Sequence, residues 1–289
     1  MTPFRRLLRP VTFSGRGLHT GEEGVVTLSP GEERGPVIQW EGGYLPLSSC
    51  TTSALGRGTD LLLPGGGRIK TAEHLFAALS GLGIHSVRIG MSGTEIPALD
   101  GCSLAFAEEL LKASEPLEDG EQPAPFPLAY PVTVEDEERR SLLAAFPSRD
   151  LRITCLLQYP EKPIGTEMAE FSPGRDDFLR DIAPARTFAL KSELDFLRER
   201  GLARGGSLDN ALLVDSESVQ ASGGLRFPDE FVRHKILDLL GDLYLLGRPL
   251  RARIVAIRSG HGLHCRLVDR LKSLISKDNL PYAKETRHV

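Results

Sequence analysis

Closely spaced cysteines are missing from this sequence. Cys50, Cys102, Cys155 and Cys265 are scattered, with no Cys-x-x-Cys spacing. That argues against a thiolate zinc site or a disulfide framework and fits a reducing cytoplasm. Long apolar runs are missing too, and no stretch approaches the roughly 20 residues that span a bilayer. The basic N-terminus, MTPFRRLLRPVTFSGRG, lacks the apolar core of a signal peptide. A soluble, cytoplasmic protein is expected. Charge of one sign is also lacking, with 35 basic against 39 acidic residues and a net charge of -4. No global field draws the chain to nucleic acid, so no such partner is expected. What is present is an ordinary globular composition, 40% hydrophobic and 26% charged over 289 residues. That is enough for two domains with buried cores.

The sharpest break is Glu115–Pro131, EPLEDGEQPAPFPLAYP, whose five prolines forbid a helix interior and disfavour a central strand. It divides the chain into a first domain over 1–118, a linker over 119–131, a second domain over 132–275 and a tail over 276–289. Strand-like runs in the first half are Gly24–Leu28, Val37–Trp40 and Val87–Met91. Those of the second are Val132–Val134, Leu142–Phe146, Leu151–Tyr159 and Arg253–Ile257, with helices between. In each half a helix that starts near a histidine ends at glycine and leads into a β-type run. The two segments are TAEHLFAALSGLGIHSVRIG and VRHKILDLLGDLYLLGRPLRARIV. An α+β fold of two similar domains is expected, each a β-sheet packed on helices, with the helix layers facing and a site between them.

Two helices carry charge where core belongs. Thr71 suits an N-cap and Gly81 a C-terminal stop for a helix over Ala72–Ser80. Leu75, Phe76, Ala77, Ala78 and Leu79 leave that helix almost no polar face, which predicts burial. Glu73 and His74 then stand either at the surface near the helix N-terminus or at an interior position where something must compensate them. In the second helix, His234, Asp238 and Asp242 share a stripe about 80° wide at 3.6 residues per turn. Ile236, Leu237, Leu239, Leu240, Leu243 and Tyr244 fill the opposite arc. Such a stripe is either a solvated face or a histidine and an i+4 carboxylate converging on one metal. Leu245 inside the polar arc counts against solvation. The run SGHGLHC, Ser259–Cys265, reads as a loop after the strand Arg253–Ile257. His19, His85 and His264 have no telling partner spacing, and His288 belongs to the tail.

Seven motifs occur in order along the chain. They are GLHTG (Gly17–Gly21), TAEHLFAALSGLGI (Thr71–Ile84), EIPALDG (Glu95–Gly101), ARTF (Ala185–Phe188), GLARGGSLDNALLVD (Gly201–Asp215), LRFPDEFVRHKILDLLGD (Leu225–Asp242) and SGH (Ser259–His261). Together they resemble the UDP-3-O-acyl-N-acetylglucosamine deacetylase family, zinc enzymes of the committed step of lipid A synthesis. The resemblance implies zinc ligands His74, His234 and Asp238, a set that also accepts Fe2+. Three protein ligands leave a position for water, as in a catalytic site. It further implies Glu73 as general base, His261 as the acid for the leaving amine, Asp242 as its partner and Thr187 as the oxyanion donor. Lys235 corresponds to a headgroup contact, Phe188 to a sugar or acyl contact, and Leu18 to part of a tunnel wall. An apolar tunnel for the fatty acyl chain would be formed by an insert over Phe188–Leu225, including Leu202, Ala211 and Leu213, with βαβ-type inserts in the fold.

The expected reaction releases acetate from UDP-3-O-(3-hydroxyacyl)-N-acetylglucosamine in a Gram-negative-type bacterium. The UDP contacts depart from the family pattern, with Arg139 and Tyr159 as the nearest candidates, and His264 stands where many members carry Asn. The chain is too short for a fused dehydratase domain, and a monomer without an obligatory protein partner is expected. Two other functions share these residues: a zinc deacetylase of another N-acyl sugar, and a nucleotide-sugar or lipid-binding protein without catalysis.

Overall fold

The computed structural model describes residues 4–54, 57–118, 124–161 and 163–278. Its helices are α1 (Glu73–Gly81), α2 (Leu104–Lys112), α3 (Phe178–Asp181), α4 (Leu194–Glu199), α5 (Glu230–Tyr244) and α6 (His261–Asp278). Part of the expected linker, the C-terminal end of the tail and His288 with it lie outside the described residues. Helix α6 runs three residues into the expected tail. None of the described helices is long and apolar enough to cross a membrane.

Two five-membered strand paths organise the chain, and their orders match. The first runs Val11–Arg16, Glu23–Pro30, Val87–Ser92, Val37–Trp40, Gly43–Pro46. The second runs Val132–Asp136, Ser141–Pro147, Leu250–Ile257, Arg152–Gln158, Thr166–Phe171, with the short strand Phe126–Pro127 also pairing to Leu250 and Arg251. Each path has two antiparallel pairings, one parallel pairing and a final antiparallel one. In each, the last strand of the path in chain order sits at the centre, directly after the helix that precedes it. The helix–glycine–strand echo of the sequence is this shared topology. Alternating burial fits sheets with one covered face: Val26 and Leu28 are buried in one central region, Ala252, Ile254 and Ala256 in the other.

Helices α5 and α6 lie on the second sheet, α1 packs on α2, and α1 packs directly on α5. Gly241 makes that last contact possible, because a Cβ there would stand 2.0 Å from the Glu73 carbonyl oxygen. The rings of Phe76 and Tyr244 meet with centroids 5.5 Å apart. The apolar character of α1 is thereby explained. Every residue from Glu73 to Leu79 is buried.

Each half carries a small extra sheet. That of the second half is a βαβ unit: Phe188–Leu190 and Leu212–Val214 run parallel with α4 between them, and Val219–Gln220 pairs antiparallel. That of the first half, Thr51–Ser53, Asp60–Leu62 and Arg68–Ile69, is antiparallel throughout. The βαβ expectation therefore holds for one insert of the two.

Two local expectations fail. Thr71 is not the N-cap of α1: its backbone is left-handed at φ 56 and its hydroxyl donates to Glu95 Oε1. Ala72 takes the flanking position without a side-chain cap. Ser259–Cys265 is not a loop throughout, since α6 begins at His261. Leu263, Leu267, Val268 and Leu271, all buried, supply the helical periodicity that the two glycines mask.

Candidate active site

The start of α1 and one face of α5 meet at a polar pocket inside an otherwise apolar interface. His74, His234 and Asp238 are all buried, and one ligand atom from each lies within 4.8 Å of the others. The His234 Nδ1–H donates to the Ala185 carbonyl at 3.1 Å. Its Nε2 lone pair then faces Asp238 Oδ1 at 3.2 Å, with His74 Nε2 3.8 Å from the same oxygen. Asp238 Oδ1 is buried and has no hydrogen-bond partner among the described residues. Lone pairs converging on an orphaned carboxylate oxygen repel one another unless a cation stands between them. The donor set fits a metal ion, and the Nδ1 bond of His234 fixes the tautomer a ligand needs.

Charge around the pocket is consistent with that arrangement. Burial, aided by the His234 and His261 charges, pushes the His74 pKa down to about 3. His234 is likewise lowered, chiefly by burial, although Asp238 opposes. Burial works to raise the Asp238 pKa, but His234, Lys235, His261 and His74 together hold it well below the usual range. Neutral imidazoles beside an ionised carboxylate are the protonation states that metal ligation requires.

A second cluster borders the first. His261, at the first position of α6, donates its Nδ1–H to Asp242 Oδ2 at 2.8 Å. Its Nε2 lies 3.6 Å from Asp238 Oδ2 and 3.8 Å from Glu73 Oε1. Burial opposes protonation of this ring, yet Asp242, Asp238 and Glu73 raise its pKa to about 10. Burial, with Asp242 and Asp238 nearby, pushes the Glu73 carboxyl up to about 8 against the pull of His261.

Several residues here carry no signal in the sequence pattern. Thr59, on the insert of the first half, donates its N–H to Glu73 Oε2 at 2.9 Å and its hydroxyl to Asp242 Oδ1 at 2.5 Å. His264 donates to Asp242 Oδ2 at 2.7 Å. Arg186 and Glu230 form a buried ion pair at 2.9 Å. Glu230 also accepts from the Arg186 and Arg226 backbone, which holds Ala185 where its carbonyl can orient His234. Glu95 accepts from the His19 and Thr20 backbone and from the Thr20 and Thr71 hydroxyls. That carboxylate leaves no room for a side chain at Gly17, whose Cβ would lie 2.3 Å from Glu95 Oε2. Glu95, Arg186 and Glu230 do fall within the motifs EIPALDG, ARTF and LRFPDEFVRHKILDLLGD, which mark their segments without giving their partners.

The remaining candidates divide. Lys235 donates to Asp238 Oδ2 at 2.7 Å and lies 5.2 Å from the centre of the Phe188 ring. Phe188 in turn meets Tyr159 at 5.8 Å and His234 at 6.3 Å between centroids, so Tyr159 joins the pocket through aromatic contacts. Thr187 stands two residues beyond Ala185, its backbone held between Gly101 and Leu212. Leu18 is buried and its carbonyl accepts from Gly205 of the second half. Arg139 is not brought to the cluster. It lies exposed in a hairpin turn, 4.0 Å from Asp136.

Comparison with known proteins gives a consistent result. Residues 5–273 match the family described as UDP-3-O-acyl N-acetylglycosamine deacetylase. A protein of Chlamydia muridarum named UDP-3-O-acyl-N-acetylglucosamine deacetylase is 42% identical over 273 residues, 92% of this chain and 94% of that protein. Relatives of the same name from Chlamydia trachomatis serovar L2 and Chlamydia felis are each 41% identical, over 92% and 91% of this chain and 94% of their own lengths.

Proposed function

Because the chain belongs to the UDP-3-O-acyl N-acetylglycosamine deacetylase family, we propose that it hydrolyses the N-acetyl group of a UDP-3-O-acylated N-acetylglucosamine, with zinc as the metal and acetate as a product. The orphaned Asp238 Oδ1 facing two histidine nitrogens carries the metal part of this reading. His74, His234 and Asp238 would hold the ion. Zinc bound there would lower the pKa of a water molecule from about 15.7 to near 7 and so supply the nucleophile. Fe2+ is the alternative ion that this donor set accepts.

Glu73 takes the proton of the attacking water. Thr59 N–H fixes one of its oxygens, leaving the other toward His261. The carbonyl carbon gains the water oxygen, and the Thr187 hydroxyl donates to the oxygen that becomes negative. His261 delivers a proton from Nε2 as the carbon–nitrogen bond breaks, while its Nδ1 stays on Asp242. Acetate and a free sugar amine result. Lys235, Phe188 and Tyr159 border the substrate headgroup.

The βαβ insert receives the acyl chain. Phe196, Leu208 and Leu225, exposed on and beside it, and the half-buried Leu202, Ala211 and Leu213 supply apolar surface, and Leu18 adjoins it through Gly205. The reading places the enzyme in lipid A synthesis and therefore in the cytoplasm of a Gram-negative-type bacterium.

Elemental analysis and an acetate-release assay test the proposal together. The purified chain is expected to hold stoichiometric metal and to release acetate from the 3-O-acylated substrate in preference to its de-O-acylated form. His74→Ala and His234→Ala should lose the metal. Glu73→Ala should keep it and lose activity by about 10²- to 10⁴-fold. A parent chain without metal, or a Glu73→Ala variant as active as the parent, sinks the reading. Equal use of both substrates removes its acyl-chain part.

A further inference from the structure

One buried imidazole takes no part in the proposed reaction. His264, one turn beyond His261 on α6, is 1% exposed. Its Nδ1–H donates to Asp242 Oδ2 at 2.7 Å, and its Nε2 lies 3.0 Å from Ser259 Oγ. His261 donates to that same carboxylate oxygen at 2.8 Å. The other oxygen of Asp242 accepts from the Thr59 hydroxyl. Asp242 thus has a donor on each oxygen and two on the one that serves His261.

We propose that His264 is a positioning residue that, with Ser259 and Thr59, locks the Asp242 carboxylate so that the His261 ring is held in a single orientation. A carboxylate bound only through His261 could rotate about its χ2 bond, and the ring would follow it. A second imidazole on Oδ2 and a hydroxyl on Oδ1 remove that rotation. Donors and acceptors match throughout the cluster. Asp242 is an ionised acceptor, so the Nδ1 of His264 carries the proton, and its Nε2 accepts from the Ser259 hydroxyl. Burial, which lowers the pKa of His264 although Asp242 opposes it, keeps the ring in that neutral form. The donors on Asp242 come from two separated elements, Thr59 from the first-half insert and His261 and His264 from α6, while Ser259, after the strand Leu250–Ile257, backs His264 from behind. Anchoring from two elements, with one anchor itself held from behind, fixes a group more firmly than bonds along one helix, as in the outer-shell partners that orient metal-site histidines.

The proposal rests on His261 being the proton donor. Its test uses the metal-loaded full chain and three variants. His264→Asn retains a side-chain N–H toward Asp242, His264→Leu retains bulk alone, and Ser259→Ala removes the outer hydroxyl. Loss of one hydrogen bond to a charged acceptor predicts that His264→Leu lowers kcat by about tenfold or more. KM and metal content should stay close to parental. His264→Asn should recover most of kcat, and Ser259→Ala should fall between. Low-field proton NMR supplies a reading independent of turnover. The Nδ1–H resonance of His261 should be sharp in the parent and in His264→Asn, and broadened by exchange in His264→Leu. A His264→Leu variant with parental kcat and an unchanged His261 resonance overturns the proposal. So does equal impairment of the Asn and Leu variants with that resonance intact, which marks simple packing. If His264→Leu does not fold, an unaltered His261 resonance in Ser259→Ala together with an impaired His264→Asn overturns it. A parent chain that releases no acetate but shows the expected NMR pattern counts against the proposed reaction and leaves the positioning role standing.

Discussion

The Thr59 hydroxyl reaches Asp242 across 183 residues of chain, while its backbone N–H reaches Glu73. Nothing in its neighbourhood, GRGTDLL, marks it, since the partners are supplied by tertiary packing and not by spacing. His264 was equally silent, because its carboxylate sits on another helix. Glu73, His74, His234 and Asp238 stand out because they put polar groups on helices with large apolar faces, and helical period aligns the last two, but the pattern alone leaves a surface reading open and their roles come from the family resemblance. Tyr159 joins the cluster through its ring contact with Phe188, and the exposed Arg139 stays outside it. At this scale a conservative exchange removes one hydroxyl, which meets both Asp242 Oδ1 and, at 3.1 Å, His261 Nδ1. Thr59→Val keeps the shape and the backbone N–H but leaves Asp242 Oδ1 without a donor. A hydrogen bond to a charged group is worth about 1.5–3 kcal/mol, so kcat should fall by about 10- to 100-fold at unchanged metal content, with Thr59→Ser close to the parent. Steady-state kinetics beside metal analysis decides it, and a fully active Thr59→Val would show that Asp242 needs no second donor.

Helix α1 was legible as an element because an apolar run of that length has no surface to live on. Its start is set by tertiary contacts and not by the local pattern. The Thr71 hydroxyl is committed to Glu95, 24 residues away, and a residue at φ 56 directs the chain into the helix without capping it. The helical start at His261 was hidden for the opposite reason, since Gly260 and Gly262 carry a loop signal that the apolar period beyond them overrides. What the two ligand helices require of each other is concentrated at Gly241. Because any Cβ there would stand 2.0 Å from the Glu73 carbonyl oxygen, even alanine must push α1 away from α5. Overpacking of this kind costs about 1–3 kcal/mol. Gly241→Ala is therefore expected to lower the melting temperature, and metal affinity should fall with it because the shift opens the distance between His74 and Asp238. Thermal denaturation with and without chelator measures both, and a Gly241→Ala protein with parental values would mean that α1 has slack to yield.

Across the whole molecule, burial also governs how stability responds to acid. His85 is buried between Phe4 and Tyr244, has no partner at Nδ1 among the described residues, and burial lowers its pKa from 6.5 to about 4. The unfolded chain takes up that proton more readily than the native one. The contribution is thus present above pH 6.5 and is lost as pH falls toward about 4, by roughly 3 kcal/mol in all. Denaturant titrations from neutral pH down to about pH 4 should find His85→Phe losing less stability than the parent by about that amount, whereas parallel curves would refute it. The two-part architecture was foreshadowed by the repeated helix–glycine–strand order, but the strand sequence of the sheets was not, because periodicity says which face a strand buries and not which neighbour it pairs with. That strand sequence sets a timetable for synthesis. In each half the central strand is made after its outer neighbours and after the ligand-bearing helix. The first sheet lacks its middle until residue 92 has been added, and the second until residue 257. His261 follows at once. A growing chain therefore holds its first half ready while the second remains an open set of strand edges, and the site that joins the two is among the last parts of the molecule to come into being.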